Sequence, residues 1–386
     1  MAEQQKVYVM VEQSCITPIW HERSIEGLRR AAARQKKTIC IIDSFAELDV
    51  HQLPTAMVLI STGAQWTAAT IAECHKWRIH PILIGSMPGN FGEHVSGTMY
   101  GNSAVIEALV KYFVSNGRRK LAMAGLYTTS ANDMAKRDAF LAISEKLSLP
   151  VGPEDVYLGA EAGTTPDKQF FENIRNYQGV LCANDFIAAN VLCYAKAHGI
   201  KVPEELFVSG LGDTILCRYT QPTLTSATRA YEETGEQAFY IWKQLGANPR
   251  LSSIVVTVEC ELRPRGSTAN AALPADPLAS AYTGEPAPYM TLTDDVEDRA
   301  RALVSCLHQC TKLDMQIIQG LVDGKSMEQI AEEQAISVST GRYRIKKLYA
   351  LTNVATKAEF VELFRRYIHS DRIFEDYENG SWNTEE

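Results

Sequence analysis

Gly179–Thr214, with the sequence GVLCANDFIAANVLCYAKAHGIKVPEELFVSGLGDT, is the stretch that decides the fold. It contains two short apolar runs, Gly179–Ala183 and Leu206–Gly212, and an amphipathic segment, Ile187–His198, lies between them. Short apolar strands that alternate with helices predict a parallel sheet covered by helices on both faces. The stretch therefore predicts an α/β fold.

The same alternation extends in both directions, from Lys6 to Glu261. Further strands are predicted at Val7–Val11, Thr38–Asp43, Ala56–Ser61, His80–Gly85 and Lys120–Gly125. Further helices are predicted at Arg23–Gln35, Ala68–Trp77, Ser103–Ser115 and Asp133–Lys146. There are too many strands for one compact open sheet, so we expect two doubly wound lobes with ligands at the carboxyl ends of strands.

The composition changes at Ser267, where a stretch rich in proline and alanine and poor in charge predicts a linker. Every segment behind it has helical periodicity. Helices are predicted at Asp294–Gln309, Thr311–Val322, Ser326–Gln334, Ser339–Leu351 and Lys357–Ile368. A small all-α domain is therefore expected, followed by an acidic tail that we expect to be loose.

The helix predicted at Ser339–Leu351 has two different faces. One stripe is expected to point inward and consists of Gly341, Ile345, Leu348 and Thr352. The opposite arc carries Arg342, Tyr343, Lys346 and Lys347, with Arg344 at its flank. A cationic helix face of this kind suits the major groove of DNA, although a solvated face on a small bundle has the same pattern.

The region around this helix contains a pattern made of Thr311 with Asp314, Ile317–Ile318, Gly324, Ser326, QIAEE, ISVST, Ile345, Leu348 and Val354. Through this pattern it resembles the LuxR/GerE-type helix-turn-helix DNA-binding domain. The resemblance implies that the helix from Ser339 is the recognition helix and that the last helix helps to form a dimer. The implied DNA contacts are Ser339, Thr340, Arg342, Tyr343, Arg344, Lys346 and Lys347. The chain departs from the family at Gly341 and at Leu351–Asn353.

Two nearby patterns have simpler interpretations than a ligand site. Gly320–Ser326 is one residue short of a phosphate-binding loop and has no strand before it. Cys306 and Cys310 share a helix face from which His308 points away, so buried cysteines are expected rather than a metal site. The same helix has a stripe of apolar residues that fits either a short coiled coil or packing on its own domain.

A second set of motifs lies at Asn116–Gly125, Ala135–Phe140, Gly179–Thr214, Gln221–Thr228 and Val258–Thr268. Through these motifs residues 6–268 resemble the effector-binding domain of the LacI/GalR family, which is similar to periplasmic sugar-binding proteins. The resemblance implies two lobes around a cleft that binds a small-molecule effector, a sugar or a related metabolite. The implied effector-binding residues are Trp20, His21, Asn102, Arg137, Asn184, Phe186 and Asp213.

Several of these residues have structural alternatives. Trp20 and His21 are expected in the first loop, and Asp185 is expected to cap the helix that follows it. Two aspartates that typically grip sugar hydroxyls in the family are replaced by Gly101 and Gly212. The effector is therefore expected to be less hydroxylated or anionic, unless the site no longer binds a ligand.

The expected architecture is thus a two-lobed sensing domain at 1–266, a linker at 267–292, a linker helix with the DNA-binding domain at 293–370 and a tail at 371–386. Lobe 1 is expected to comprise 1–117 and 226–247, and lobe 2 to comprise 118–225 and 248–266. The sensor precedes the DNA-binding helices, which is the reverse of the order in the LacI/GalR family.

Composition limits the function classes. The net charge of −8 argues against a protein that coats nucleic acid, but it permits a local basic element. Nine cysteines without a CxxC pair and the lack of a long apolar run favour a cytoplasmic protein without membrane contact. No nucleophile–base pattern is present, so we expect no enzyme, catalytic residue, cofactor or metal.

We therefore expect a cytoplasmic, dimeric one-component transcriptional regulator that binds double-stranded DNA under control of a small-molecule effector. Closure of the cleft on the ligand is expected to change how two protomers sit against each other and thus the spacing of their recognition helices. The alternative is a cytoplasmic solute-binding or signalling protein whose C-terminal helices bind a protein partner.

Overall fold

The structure is a computed structural model that describes residues 6–13, 19–128, 130–159, 168–269 and 294–380. Most of the predicted linker and the end of the predicted tail lie outside these residues. The chain divides into two compact units. The first comprises Met1–Ala108, Tyr127–Phe140 and Thr228–Glu261, and the second comprises Leu109–Leu126, Leu141–Ala227 and Leu262–Glu386.

The first unit contains a parallel sheet, which has six strands in the described residues. These strands are β1 (Lys6–Val11), β2 (Thr38–Ile41), β3 (Ala56–Ile60), β4 (His80–Ile84), β5 (Ser96–Tyr100) and β11 (Val255–Val258). They lie in the order β11-β5-β4-β3-β1-β2. Its helices are α1 (Ile19–Arg34), α2 (Ala64–Lys76), the start of α3 (Asn102–Ser115), most of α4 (Ala131–Lys146) and α8 (Tyr231–Ala247).

Both faces of this sheet are buried. In β3, Val58 and Ile60 belong to the apolar cluster that contains α1 and α8, while Met57 and Leu59 belong to the cluster that contains α2. Successive side chains of a strand point to opposite faces, so a strand covered on both sides must be apolar throughout. This is why the uninterrupted run AMVLI predicts a central strand correctly.

The second unit contains a further parallel sheet, with four strands in the order β7-β6-β8-β9 within the described residues. Its strands are β6 (Leu121–Leu126), β7 (Val156–Leu158), β8 (Gly179–Cys182) and β9 (Phe207–Ser209), and β10 (Ser226–Ala227) pairs separately with β12 (Leu262–Arg263). Its helices in this region are α5 (Lys168–Asn173), α6 (Asp185–Ala197) and α7 (Leu216–Tyr219). The α/β prediction with parallel sheets is confirmed.

A helical C-terminal region belongs to the second unit. Its helices are α9 (Asp294–Gln309), α10 (Lys312–Val322), α11 (Met327–Glu333), α12 (Val338–Thr352), α13 (Lys357–Tyr367) and α14 (Arg372–Glu378). The expectation of a loose tail is wrong for α14, because Ile373 and Phe374 are buried and Phe374 stacks on Phe364 of α13. The many acidic residues of the tail made its short apolar segment, Ile373–Phe374, hard to recognise in the sequence.

The domain limits expected from the sequence stay a prediction, but the structure groups several segments differently. Residues 127–140 and 248–261, expected in lobe 2, lie in the first unit, where β11 pairs with β5. Residues 109–117 and 226–227, expected in lobe 1, lie in the second unit, and the C-terminal helices cluster with that unit rather than forming one of their own. These differences arise from contacts between residues far apart in sequence, which local periodicity does not report.

Candidate functional site

Hydrogen bonds from side chains fix the starts of three C-terminal helices. Thr311 and Asp314 form a capping box at α10, and Ser326 forms one with Gln329 at α11. At α12 the hydroxyl of Ser337 accepts a hydrogen bond of 3.0 Å from the amide of Thr340. Caps of this kind satisfy backbone N–H groups that have no partner within the helix. The α11–turn–α12 arrangement is therefore specified locally.

The inward stripe predicted for α12 is confirmed. Gly341, Leu348 and Thr352 are buried, and Ile345 is half-buried. A Cβ atom on Gly341 would lie 2.4 Å from the methyl carbon of Met327, so glycine permits close approach of α11. At the other end, Asn353 adopts a left-handed conformation (φ 52°) that ends the helix.

The opposite face of α12 lies open to solvent. Its exposed residues are Ser339, Thr340, Arg342, Tyr343, Lys346 and Lys347. Tyr343 is 73% exposed, which is unusual for a large aromatic side chain. Within the described parts of the chain neither Lys346 nor Lys347 forms an ion pair, and Arg342 contacts Glu328 at 3.3 Å with both side chains largely exposed. The face can therefore receive an anionic partner.

Arg344 does not belong to that face. Its Nη1 donates to Oδ1 of Asp314 at 2.8 Å and to Oγ1 of Thr311 at 3.1 Å. Burial would raise the pKa of Asp314, but hydrogen bonds from Thr311 and Arg344 outweigh it and hold this pKa below its usual value. Arg344 thus ties α12 to the start of α10, which differs from its predicted role as a DNA contact.

The C-terminal helices pack on one face of α6. Tyr367 donates to Oδ1 of the fully buried Asn190 at 2.9 Å, and the thiol of Cys193 donates to the carbonyl of Arg366 at 3.5 Å. The guanidinium of Arg301 lies 4.9 Å from the ring centroid of Phe186. Phe186 was predicted to bind an effector, but its ring is buried and Arg301 of α9 covers it.

Helix α9 packs on the same protein chain. Ala300, Leu303 and Leu307 are fully buried, and α9 contacts α12, α13 and α6. This favours the second of the two interpretations of its apolar stripe, packing on its own domain. Cys306 and Cys310 are buried as well, and the described residues contain no group of three or more metal-binding side chains.

Two of the predicted effector residues meet around one glycine in the first unit. Asn102 donates to Oδ1 of Asn132 at 3.2 Å, and Asn132 donates to the carbonyl of Gly85 at 2.5 Å. A Cβ atom on Gly85 would lie 2.7 Å from the indole ring of Trp20. Trp20 and the buried His21 lie in α1, so the expectation that they belong to a loop is wrong.

The buried cation of α4 is Lys136 rather than the predicted Arg137. Lys136 is 3% exposed, and its Nζ lies 2.6 Å from Oδ1 of Asp133, one helical turn earlier. Burial lowers the pKa of Lys136, while the charge of Asp133 opposes that shift. Arg137 is more exposed and pairs with its neighbour Asp138 at 2.7 Å. The two residues are adjacent in sequence, and only their different positions around the helix axis make Lys136 buried and Arg137 more exposed.

Sequence reasoning missed a cluster of aromatic and cationic side chains in the same unit. The rings of Tyr100 and Tyr231 meet edge to face at 5.8 Å. The Arg229 guanidinium lies 5.3 Å from the centroid of Tyr100, and that of Arg23 lies 5.5 Å from the centroid of Tyr231. Arg23 also forms a two-point ion pair with Glu232 at 2.5 and 2.9 Å. The sequence indicated this cluster only through Arg229, which directly follows the segment QPTLTSAT.

The remaining predicted effector residues lie in the second unit, where each already has a structural partner. Asn184, not Asp185, caps α6, because its side chain accepts from the amide of Ile187 at 3.0 Å. The buried Asp185 accepts from Ser226 at 2.5 Å and from the amide of Thr214 at 2.7 Å. Asp213 forms an ion pair of 2.7 Å with Arg265. The capping prediction for Asp185 was wrong.

A search of the described residues finds no helix with both the length and the apolar character to cross a membrane.

Comparison with known proteins identifies the fold of the central region. Residues 110–268 match the family model of the periplasmic binding protein-like domain. This part of the chain is therefore similar to periplasmic-binding-protein-like domains. The HTH-type transcriptional repressor PurR of Serratia proteamaculans (strain 568) is 21% identical over 259 residues, which is 64% of this chain and 75% of that protein. PurR of Yersinia pestis (strain Pestoides F) has the same identity and coverage.

Solved structures extend the similarity to both units. A complex of the transcriptional regulator CelR with cellobiose has a TM-score of 0.59 at 15% identity, covering 69% of this chain and 85% of that chain. The LacI family regulator CcpA from Weissella paramesenteroides with bound glucose has a TM-score of 0.55 at 18% identity, covering 69% and 98%. At these identities the similarity concerns the fold.

Proposed function

We propose that this chain is a one-component transcriptional regulator that binds double-stranded DNA through α12 under control of a small-molecule effector. The exposed cationic face of α12 carries the proposal. Lys346 and Lys347 have their charges available, and Arg342 has only a solvent-exposed partner. Exposed ion pairs contribute at most about 1 kcal/mol, so phosphate oxygens can displace Glu328 from Arg342.

The N-terminal part of α12 supplies groups that can read bases. Ser339 and Thr340 present hydroxyls at the first turn, and Tyr343 presents its ring one turn later. Hydroxyl groups bond base edges in the major groove, and apolar surface contacts the methyl group of thymine. We place phosphate contacts at Arg342, Lys346 and Lys347, and we leave out Arg344 because Asp314 already engages it.

The effector is proposed to bind within residues 1–266, the expected sensing domain. Relatives of this region are named as transcriptional repressors, and structures with a similar fold contain cellobiose or glucose. The contacts of α9 and α13 with α6 offer a physical link between effector and DNA, because a shift of α6 would carry the C-terminal helices with it. We propose a cytoplasmic homodimer as the active form.

A salt titration tests the DNA-binding part. Binding of the full chain to labelled genomic fragments would be measured by fluorescence anisotropy at increasing salt. The logarithm of the affinity is expected to fall linearly with the logarithm of the salt concentration, and replacing three phosphate contacts should reduce that slope by up to about 2.7. The variant carries Arg342→Ala, Lys346→Ala and Lys347→Ala.

A matched control removes three exposed cations of the first unit instead, with Arg29→Ala, Lys76→Ala and Lys243→Ala. The control has the same net charge as the test variant and should keep the wild-type slope. Equal slopes for all three proteins would refute DNA binding through α12 and favour a C-terminal region that binds a protein partner.

A further inference from the structure

The cluster around Tyr100 in the first unit contains more positive than negative charge. Two of its cations are matched, Arg23 by Glu232 and Lys136 by Asp133. Arg229 is not matched, because no carboxylate in the described parts of the chain forms an ion pair with it. Arg229 instead contacts the face of the Tyr100 ring. The cluster thus holds one surplus positive charge on a half-buried side chain.

Arg229 is a half-buried cation that forms no ion pair. Burial disfavours its charge, but the nearby Tyr231, Tyr100, Cys260 and Asp133 outweigh burial and raise the pKa of this guanidinium. Arg229 therefore stays charged, and a guanidinium without an ion-pair partner can bind an anionic ligand.

The neighbours of Arg229 are suited to an anion. A guanidinium binds both oxygens of a carboxylate or phosphate through its planar fork. Tyr100 precedes Gly101 and Asn102 in the chain, and Asn102 joins the contacts of Asn132, Gly85 and Trp20. Asp133, the partner of Lys136, follows Asn132 directly. Chain neighbours at Tyr100–Asn102 and at Asn132–Asp133 therefore connect the aromatic and cationic groups with the amide groups within one unit.

We propose that Arg229 binds an oxyanion of the effector, either a carboxylate or a phosphate, and that the effector is an anionic metabolite rather than a neutral sugar. This rests on the proposed function in that the bound molecule is the effector. Arg229 supplies the charge, while Asn102 and Trp20 contact the remainder of the molecule. Lys136 remains paired with Asp133.

Thermal denaturation of the full chain with defined probes tests this assignment. The probes are glucose, glucose 6-phosphate, gluconate and inorganic phosphate, each at the same ionic strength with sodium chloride as the reference. Ligand that binds the native state raises Tm by mass action. We expect the phosphorylated or the carboxylated compound to raise Tm and glucose to have no effect, which also distinguishes the two oxyanions.

Substitutions then test whether the charge of Arg229 binds the anion. Arg229→Gln should weaken binding of the active anion at least tenfold, and Arg229→Lys should retain part of it. Arg29→Gln is the matched control, since this arginine of the same unit is exposed and pairs with Glu26 at 2.9 Å, and it should bind as the wild type does. Without ligand, Arg229→Gln should melt close to the wild-type temperature, because Arg229 forms no ion pair and loses only its contact with the Tyr100 ring.

Three results would overturn the proposal. They are stabilisation by neither anion, equal stabilisation in Arg229→Gln, and a marked loss of Tm in ligand-free Arg229→Gln, which would make Arg229 a structural residue. DNA binding is measured separately by the salt titration. A chain that binds the anion but no duplex contradicts the proposed function alone, and a chain that binds duplex but no anion contradicts this inference alone.

Discussion

The ion pair between Arg344 and Asp314 permits a sharp test, because it decides which cations of α12 face outward. Arg344→Met keeps the aliphatic stem and removes the guanidinium. Asp314, whose side chain is 6% exposed, would lose its 2.8 Å partner and keep only Thr311. A charged hydrogen bond contributes about 1.5–3 kcal/mol, and Arg344 is 31% exposed, so we expect the lower end, about 1.5–2 kcal/mol.

Differential scanning calorimetry measures this loss. A folding unit of about 150–250 residues loses about 2–4 °C of Tm per kcal/mol, so the transition of the second unit should fall by about 3–8 °C. Lys346→Met on the exposed face of the same helix is the control, and it should remain within about 0.5 kcal/mol of the wild type. In DNA binding the pattern should reverse, because Lys346→Met reduces the salt slope and Arg344→Met does not.

The pH dependence of the difference provides a second check. The native pKa of Asp314 lies below its ordinary value of 3.8, so the unfolded chain binds more protons as the solution is acidified. The stabilisation is fully present above the ordinary value and is lost as the pH falls through the lowered one. An unchanged Tm for Arg344→Met, with a salt slope reduced by about one, would refute the reasoning and return Arg344 to the DNA-contacting face.

Three further predictions concern other elements. Asn184→Ala should cost about 1 kcal/mol by removing the cap of α6, whereas Asn184→Asp should restore it, as chemical denaturation would measure; equal stability of both variants would contradict the capping role. Tyr367→Phe should leave the Asn190 carbonyl oxygen buried without this donor and cost about 1–2 kcal/mol, with faster hydrogen exchange in α13; Tyr343→Phe on the exposed face is the control. Burial, with His75 and His94 nearby, lowers the pKa of His80 from 6.5 to about 4, so the native state gains stability from neutral His80 above pH 6.5 and loses it as the pH falls toward about 4. As the pH falls from 6.5 to about 4, the denaturation midpoint should fall less in His80→Gln than in the wild type or in the exposed control His51→Gln. Parallel pH profiles would contradict this prediction.

Part of the candidate site could be predicted from short-range patterns. The capping box of Thr311 with Asp314 and the end of α10 before Gly324 depend on residues within one helical turn. The inward stripe of α12 depends on helical periodicity alone. The sequence also contained the strand–helix alternation, although β5 and β11 went unpredicted because SGTMY and VVTV lack a long apolar run.

The partners of charged side chains could not be predicted in this way. Arg344 and Asp314 are thirty residues apart, and Arg229 and Tyr100 are farther still. One step of helical phase decided that Lys136 rather than Arg137 is buried. The packing of α9 on α6 decided that Phe186 is covered by the chain's own Arg301.

The sequence by itself determined the α/β class, the caps and the amphipathic faces, because these follow from backbone hydrogen bonding and from the repeat of each element. Tertiary structure alone decided which cations remain available to a partner. A charge is free or neutralised according to the carboxylates that the fold brings within about 4 Å, and that distance is set by contacts between distant segments of the chain.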